Sequence, residues 1–445
     1  MTFDAVLPSL VRVCEETAGF ASVACACVVR DPRGRVRLVL KPSGTSFAFE
    51  LGALEGELLR ELGAHFVPPI WRTDDPNGDA QRLARKALEL APKPWEAEYT
   101  DLAGTRHVAQ GSRWRRLERR LTKEVWLSDV RSDAPWALAD DAPAIVTFYS
   151  FKGGVGRTTA LASCAWQAAE AGESVVVVDL DLEAPGMGPL LGADTDRGVL
   201  DFIVDFLATE GRSLDGMVAP ATQFGAVADH VRVIPAGNLD ISYLEKLARL
   251  DFVGSRLIDT STAASAEKNP VELALVALLH EVHRQFKPRY ILIDSRAGLH
   301  DLAGLSLHGL AHIDVIIGRA TQQGYQGLDL TLQALGRRKS RDRLLSVVVH
   351  SLAPPAPDTP AANDEEAAFR VAAYKSFRQW IYGNPARQEG DASAPHWPRV
   401  IRSDEALERF TQIGAVKERL FSSGHRALWS RIVELSERPP GKDEP

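Results

Sequence analysis

The chain has 445 residues, 45% of them hydrophobic and 25% charged, with a formal net charge of −7. That length is too great for one ordinary core and asks for two or three domains. The composition excludes bulk disorder, and the negative balance argues against a surface coated for nucleic acid. No run approaches the roughly 20 apolar residues of a membrane span. The opening residues, MTFDAVLPSL, lack the basic and apolar regions of a signal peptide, so a cytoplasmic location and no membrane partner are expected.

Residues 1–140 read as one compositional unit, a smaller N-terminal α/β (α+β) domain of unassigned role. It opens with a helix predicted around Leu7–Glu16. A hairpin follows, with strands Ser22–Val29 and Arg35–Lys41 turning at Asp31-Pro-Arg-Gly34. Residues 23, 25, 27 and 29 alternate onto one face of the first strand, so Cys25 and Cys27 share that face. No second Cys/His cluster completes a metal set, and both read as small buried residues, as does Cys164. Helical segments around Leu54–Leu62 and Asp79–Leu90 are separated by Pro68-Pro69 and Asp75-Pro-Asn-Gly78. Arg113–Lys123 then carries six basic residues, one acidic residue and Trp114. Such a run could pair phosphate contacts with base stacking. The negative chain favours instead an amphipathic helix packed through Leu117 and Leu121. Ala134–Pro143, rich in Ala, Asp and Pro, reads as a linker.

From Ala144 the pattern changes to short apolar runs alternating with helical stretches, the mark of a mostly parallel, doubly wound sheet with crossover helices. The predicted strands are Ile145–Tyr149, Ser174–Asp179, Val231–Pro235, Tyr290–Asp294, Val315–Gly318 and Leu345–His350. Ser351–Asn363 holds four prolines and breaks the pattern. Helical stretches near Ala367–Tyr382 and Glu405–Glu437 flank a short strand, Arg399–Arg402, and Pro439–Pro445 reads as a frayed tail. This second domain spans 141–440.

The first strand runs into Lys152-Gly-Gly-Val-Gly-Arg-Thr-Thr159. Glycines between a strand and a helix let main-chain N–H groups face an anion, and the helix dipole adds to the attraction. Lysine stands at the front of the loop, and Arg157 occupies the place where a phosphate loop normally has lysine. Further carboxylates end two other strands, in Asp179-Leu-Asp181 and Asp294-Ser-Arg-Ala-Gly298. Ligands of open α/β sheets bind at that edge.

Together these segments resemble the ParA/MinD family of deviant Walker A P-loop ATPases, over roughly residues 144–350. The loop at 294–298 departs from the family pattern at Arg296, where proline is usual. The pairing of Arg157 with Asp-Ser-Arg is similar to a subgroup known by its KGGVGR sequence, found among multidomain bacterial regulatory and conflict-system proteins. The resemblance implies ATP and Mg²⁺ as ligands. Main-chain groups of Gly153, Gly154, Val155 and Gly156, with Arg157, would cradle the phosphates. Thr158 would coordinate Mg²⁺ and Thr159 would cap or contact the α-phosphate. Lys152 would reach across an ATP-dependent homodimer, Asp181 would orient the attacking water, and Asp294, supported by Asp179, would hold the Mg²⁺ shell. Ser295, Arg296 and Gly298 would form a γ-phosphate-sensing switch loop.

The resemblance further implies a dimerising switch with slow hydrolysis, relaying a signal to an effector through the N-terminal domain. Alternatives are a positioning ATPase on nonspecific DNA and a nucleotide-bound scaffold without turnover. Lys to Arg is not conservative at a tight phosphate site. Slow hydrolysis, binding alone and ordinary hydrolysis therefore stay open. So does the base, because His350 occupies the neighbourhood where the family often has asparagine. Arg296 could sense phosphate or pair with Asp301 or another surface acid. Arg337–Arg343 is the better nucleic-acid candidate. A membrane-anchoring C-terminal helix is set aside for Arg426–Glu437, whose Leu428, Ile432 and Leu435 should dock on the core. Pro235-Ala-Gly-Asn238 resembles a family loop near the nucleotide.

Overall fold

The computed structural model describes residues 1–44, 47–109, 112–120, 123–127, 133–253, 269–338, 345–382 and 388–437. It divides into two compact units, Met1–Leu121 and Thr122–Pro445.

In the first unit, helix α1 (Phe3–Glu16) turns Val6, Leu10, Val13 and Cys14 inward at helical spacing. Strands β1 (Val23–Arg30) and β2 (Val36–Pro42) form the expected antiparallel hairpin. Gly34 closes its turn at φ +83°, and the Asp31 carboxylate accepts from the N–H groups of Arg33 and Arg35. Helix α2 (Leu51–Leu62), the two-residue β3 (Trp71–Arg72) and helix α3 (Gly78–Leu90) follow. Asn77 caps α3 by accepting from the N–H groups of Asp79 and Ala80. A ribbon of β4 (Glu98–Thr100) and β5 (Arg106–Val108) precedes β6 (Trp114–Glu118). The main sheet runs β3-β2-β1-β6.

Two expectations change here. A register shift between Val23 and Cys25 breaks the simple alternation. Val23 therefore joins Ala26 and Val28 in the main core, while Cys27 faces Ala84 and Ala87 of α3 and Cys25 is half-buried. The basic run is also a strand over Trp114–Glu118, parallel to β1, rather than an amphipathic helix. Alternation places Trp114 in the core and Leu117 against the Cys27 cluster, and this outweighs the four-residue spacing of Leu117 and Leu121. Trp114 is fully buried and donates its Nε1–H to Glu15 Oε1 at 2.8 Å, so it presents no face for stacking a base.

The second unit opens with the short helix α4 (Glu124–Leu127), whose Trp126 donates to the His300 carbonyl at 2.8 Å. Then come β7 (Ala144–Ser150), α5 (Arg157–Glu170), β8 (Val175–Leu180), α6 (Met187–Leu191), α7 (Val199–Thr209), β9 (Ala219–Pro220), β10 (Val231–Ile234), α8 (Ile241–Val253) and α9 (Pro270–Phe286). The chain continues through β11 (Tyr290–Ser295), α10 (Asp301–Leu305), β12 (Ile313–Gly318), α11 (Gln322–Arg338), β13 (Leu345–Ala353), α12 (Pro360–Trp380) and β14 (Arg399–Arg402). It ends with α13 (Glu405–Glu408), α14 (Lys417–Leu420) and α15 (Ser423–Ser436).

Eight strands form one sheet, ordered β14-β13-β12-β7-β11-β8-β10-β9, and only the edge strand β9 is antiparallel. Helices cover both faces, which is why the strands are apolar on both sides. Val146 and Phe148 of β7 pack in the core that contains α5 and α15, while Ile145 points to the one containing α7 and α9. This is the doubly wound, mostly parallel P-loop type of α/β fold. Among the described residues no helix is long and apolar enough to cross a membrane.

The C-terminal part departs from expectation. β13 extends to Ala353, and α12 begins at Pro360, because proline at the first helical turn leaves no needed N–H unmade and Thr359 caps the helix. The single helix expected over Glu405–Glu437 is broken into α13, a short 3₁₀ turn (Ile413–Val416), α14 and α15. Gly424, in the first turn of α15, lets that helix approach β14 closely, since a Cβ there would lie 2.2 Å from the Val400 carbonyl oxygen. Leu428, Ile432 and Leu435 are buried in the core, as expected of a docked helix. Most of Arg337–Arg343, and the tail Pro439–Pro445, lie outside the described residues.

Candidate nucleotide-binding site

The glycine loop leaves β7 at the carboxyl edge of the sheet and enters α5 at Arg157. Gly154 and Gly156 hold φ of +71° and +77°, a backbone region that disfavours side chains. A Cβ at Gly153 or Gly154 would meet nothing within 4 Å, so the main chain there is open to an incoming anion. Lys152 is exposed at the front of the loop, Val155 is buried, and Thr159 is half-buried on the first turn of α5. Ser351, at the end of β13, donates to the Val155 carbonyl at 2.6 Å and ties the loop to a strand far away in sequence.

Three elements converge at Arg157. Its Nε–H donates to Asp294 Oδ1 at 2.6 Å, and its Nη2–H donates to Asp181 Oδ2 at 2.7 Å. Thr158 Oγ1 donates to the other Asp294 oxygen at 2.8 Å. Arg157 is 8% exposed and Asp294 1%, so the fork is dry. Burial disfavours the guanidinium charge, but Asp294 and Asp181 more than offset it and hold Arg157 above its usual value. Burial likewise raises the Asp294 carboxyl, against the pull of Arg157 and Thr158.

Asp179 is placed differently from its neighbours. Its Oδ1 accepts from the Asp181 N–H at 3.0 Å, and its Oδ2 accepts from the N–H groups of Gly186 and Met187. It is fully buried and pushed up to about 7, by burial first and the Asp294 charge second. Both oxygens are committed to shaping the loop after β8, a role distinct from the metal support expected of it.

The switch segment is anchored to β7. Gly298, at φ +76°, donates its N–H to the Ser150 carbonyl at 3.0 Å, and Tyr149 donates to the Gly298 carbonyl at 3.3 Å. Ser295 Oγ accepts from Ser306 at 2.9 Å. Arg296 pairs with Glu183 rather than Asp301, whose Oδ2 accepts from the Lys123 N–H. His350 is fully buried. It stacks on Phe369 with centroids 4.5 Å apart, and its Nε2 lies 3.1 Å from Glu365 Oε1.

A phosphate and a magnesium ion fit these residues. The open glycine cradle faces the anion, and the Thr158 hydroxyl beside Asp294 offers hard oxygen donors. Among the described residues no cluster of three or more His, Cys, Asp or Glu side chains forms a metal cage. Mg²⁺ needs none, since it usually keeps waters and takes one or two protein ligands beside substrate phosphates.

No family model matches the chain, and no curated protein matches it. Solved structures do. Its structural neighbours are ParA/MinD-type ATPases. Apo McdA of Cyanothece is 15% identical with a TM-score of 0.45, over 66% of this chain and 98% of that one. The cell division ATPase MinD of Pyrococcus furiosus is 22% identical with a TM-score of 0.42, over 66% and 99%. A ParA family ATPase from Chlorobium tepidum is 16% identical with a TM-score of 0.41, over 67% and 99%. Likeness at this level concerns the fold. Sequence reasoning missed Ser351, Glu183 and the pairing of Arg157 with both carboxylates. For Ser351 the only available signal was its place at a strand's carboxyl end.

Proposed function

We propose that the second unit binds Mg²⁺–ATP and hydrolyses it, as a switch ATPase of the general kind that positions or partitions cargo. The observation that carries the nucleotide reading is the meeting of Arg157, Thr158, Asp181 and Asp294 at the mouth of an open glycine loop. The positioning output takes its direction from the resemblance of the motifs, and names such as cell division ATPase belong to the neighbours.

In this reading the main chain of Gly153, Gly154, Val155 and Gly156 binds the phosphates, with the α5 dipole behind it. Thr158 and Asp294 would hold Mg²⁺, which when bound neutralises charge on the phosphate oxygens. Asp181 would orient the attacking water once free of Arg157. Exposed Lys152 would serve a second copy's phosphates, so that turnover depends on dimerisation, as with an arginine supplied in trans. Gly298, held to Ser150, would let the switch loop report the γ-phosphate.

Steady-state phosphate release from the wild type, Lys152→Ala and Asp181→Ala tests the assignment. Both variants should lose at least tenfold in rate, and three equal rates would remove the enzyme. A second reading, relay of the nucleotide state to an effector, is favoured by the separate core of the first unit. ATP-dependent, salt-sensitive retardation of nonspecific DNA would favour positioning on DNA instead.

A further inference from the structure

We infer that Arg157 is a nucleotide-displaced lock: its guanidinium bridges Asp181 and Asp294 and holds the nucleotide-free site closed to magnesium and water. The inference rests on the nucleotide reading and adds how that site is regulated.

The geometry is specific to arginine. Nε–H and Nη2–H lie in one rigid plane, and each meets a different carboxylate, at 2.6 and 2.7 Å. An ammonium is a point donor on a flexible stem and cannot reproduce the fork. Thr158 is drawn into the same cluster through Asp294, at 2.8 Å. The lock thus occupies the residues assigned to magnesium, Thr158 and Asp294, together with the one assigned to the water, Asp181.

Charge explains why the lock forms and why a ligand would open it. Two carboxylates close together in a dry site repel each other and need a cation. In the free protein one guanidinium serves both. A divalent ion on the Asp294 and Thr158 side would supply that charge instead, and the phosphates would attract the released guanidinium from its place at the start of α5. Nucleotide without magnesium removes the arginine and leaves the carboxylates bare; magnesium without nucleotide leaves the arginine no new partner. The lock therefore opens efficiently only for the two together.

The test measures affinity and stability rather than turnover. A fluorescent, non-hydrolysable ATP analogue is titrated with Mg²⁺ into the full chain, and melting without ligand is recorded, for wild type, Arg157→Lys and Asp181→Asn. Each variant loses one charged hydrogen bond of the lock, an effect on the order of tenfold. Both should bind the analogue about three- to tenfold more tightly than wild type, and both should melt lower without it. If the wild type binds and neither variant binds more tightly, the lock is overturned while the nucleotide site stands. If none of the three retains the analogue, the nucleotide reading falls and the lock with it. Asp181→Asn leaves every loop residue intact, so a folding defect confined to Arg157→Lys leaves the question decidable.

Discussion

Arg157 and Phe151 show how single side chains set the state of the loop between them. Phe151, just ahead of Lys152, packs on α11 at Gly327, where an added Cβ would lie 2.2 Å from the Phe151 Cγ. Only glycine allows that approach, so Gly327→Ala should push Phe151 outward and carry Lys152 with it. Overpacking of this kind costs about 1–3 kcal/mol, against a gain of up to about 1 kcal/mol from helix propensity. The variant should melt at a lower temperature and bind the ATP analogue more weakly; unchanged melting and affinity would show that Phe151 does not hold the loop. The residue types of the site were legible in sequence, because glycines, hydroxyls and carboxylates at strand ends announce phosphate chemistry. The side-chain directions were not. The arginine fork joins residues 24 and 137 positions apart, and that meeting is decided by the order of strands in the sheet.

Among the elements, the central strands were the most legible, because burial on both faces leaves a continuous apolar run. β6 and the C-terminal helices were less so, since a short basic segment carries helical and strand spacing at once, and a close approach such as Gly424 on Val400 leaves no periodic trace. α15 shows what docking does to a titratable group. His425 is 2% exposed, its Nδ1 lies 2.8 Å from Ser422 Oγ, and its carbonyl accepts from Gln167 at 3.3 Å. Burial, opposed by Asp404, lowers its imidazole to about 4. The unfolded chain takes up that proton near pH 6.5, before the folded one does. The stability from keeping His425 neutral is therefore full above about pH 6.5 and lost as pH falls towards 4, a change of about 2–3 kcal/mol. His300, also lowered to about 4 by burial, adds to the same window. Urea unfolding at pH 7.5 and 4.5 should show a smaller acid loss for His425→Gln than for the wild type. Equal losses would place the acid sensitivity on other groups.

At the scale of the whole molecule, each unit carries its own core: Leu10, Leu38, Leu58 and Trp114 in the first, and the covered faces of the eight-stranded sheet in the second. Units with separate cores are expected to unfold separately. Calorimetry of the full chain should therefore resolve two transitions, with the glycine loop belonging to only one. A ligand that binds only the folded form stabilises it by about 2.7 kcal/mol at a hundredfold excess over its dissociation constant. Mg²⁺ with a non-hydrolysable ATP analogue should then raise the transition of the second unit and leave the other in place. The same measurement weighs the two outputs against each other. A first-unit transition that moved with nucleotide would mean that the switch loop's state reaches the N-terminal core, as relay to an effector requires. A first-unit transition indifferent to nucleotide confines the switch to the second unit, as a positioning ATPase needs, and makes the N-terminal unit a constant adaptor. The net charge of −7 then demands that any DNA contact come from a local patch. Retardation of DNA should accordingly vanish between 50 and 200 mM salt, where counterion release costs a protein with several phosphate contacts orders of magnitude in affinity.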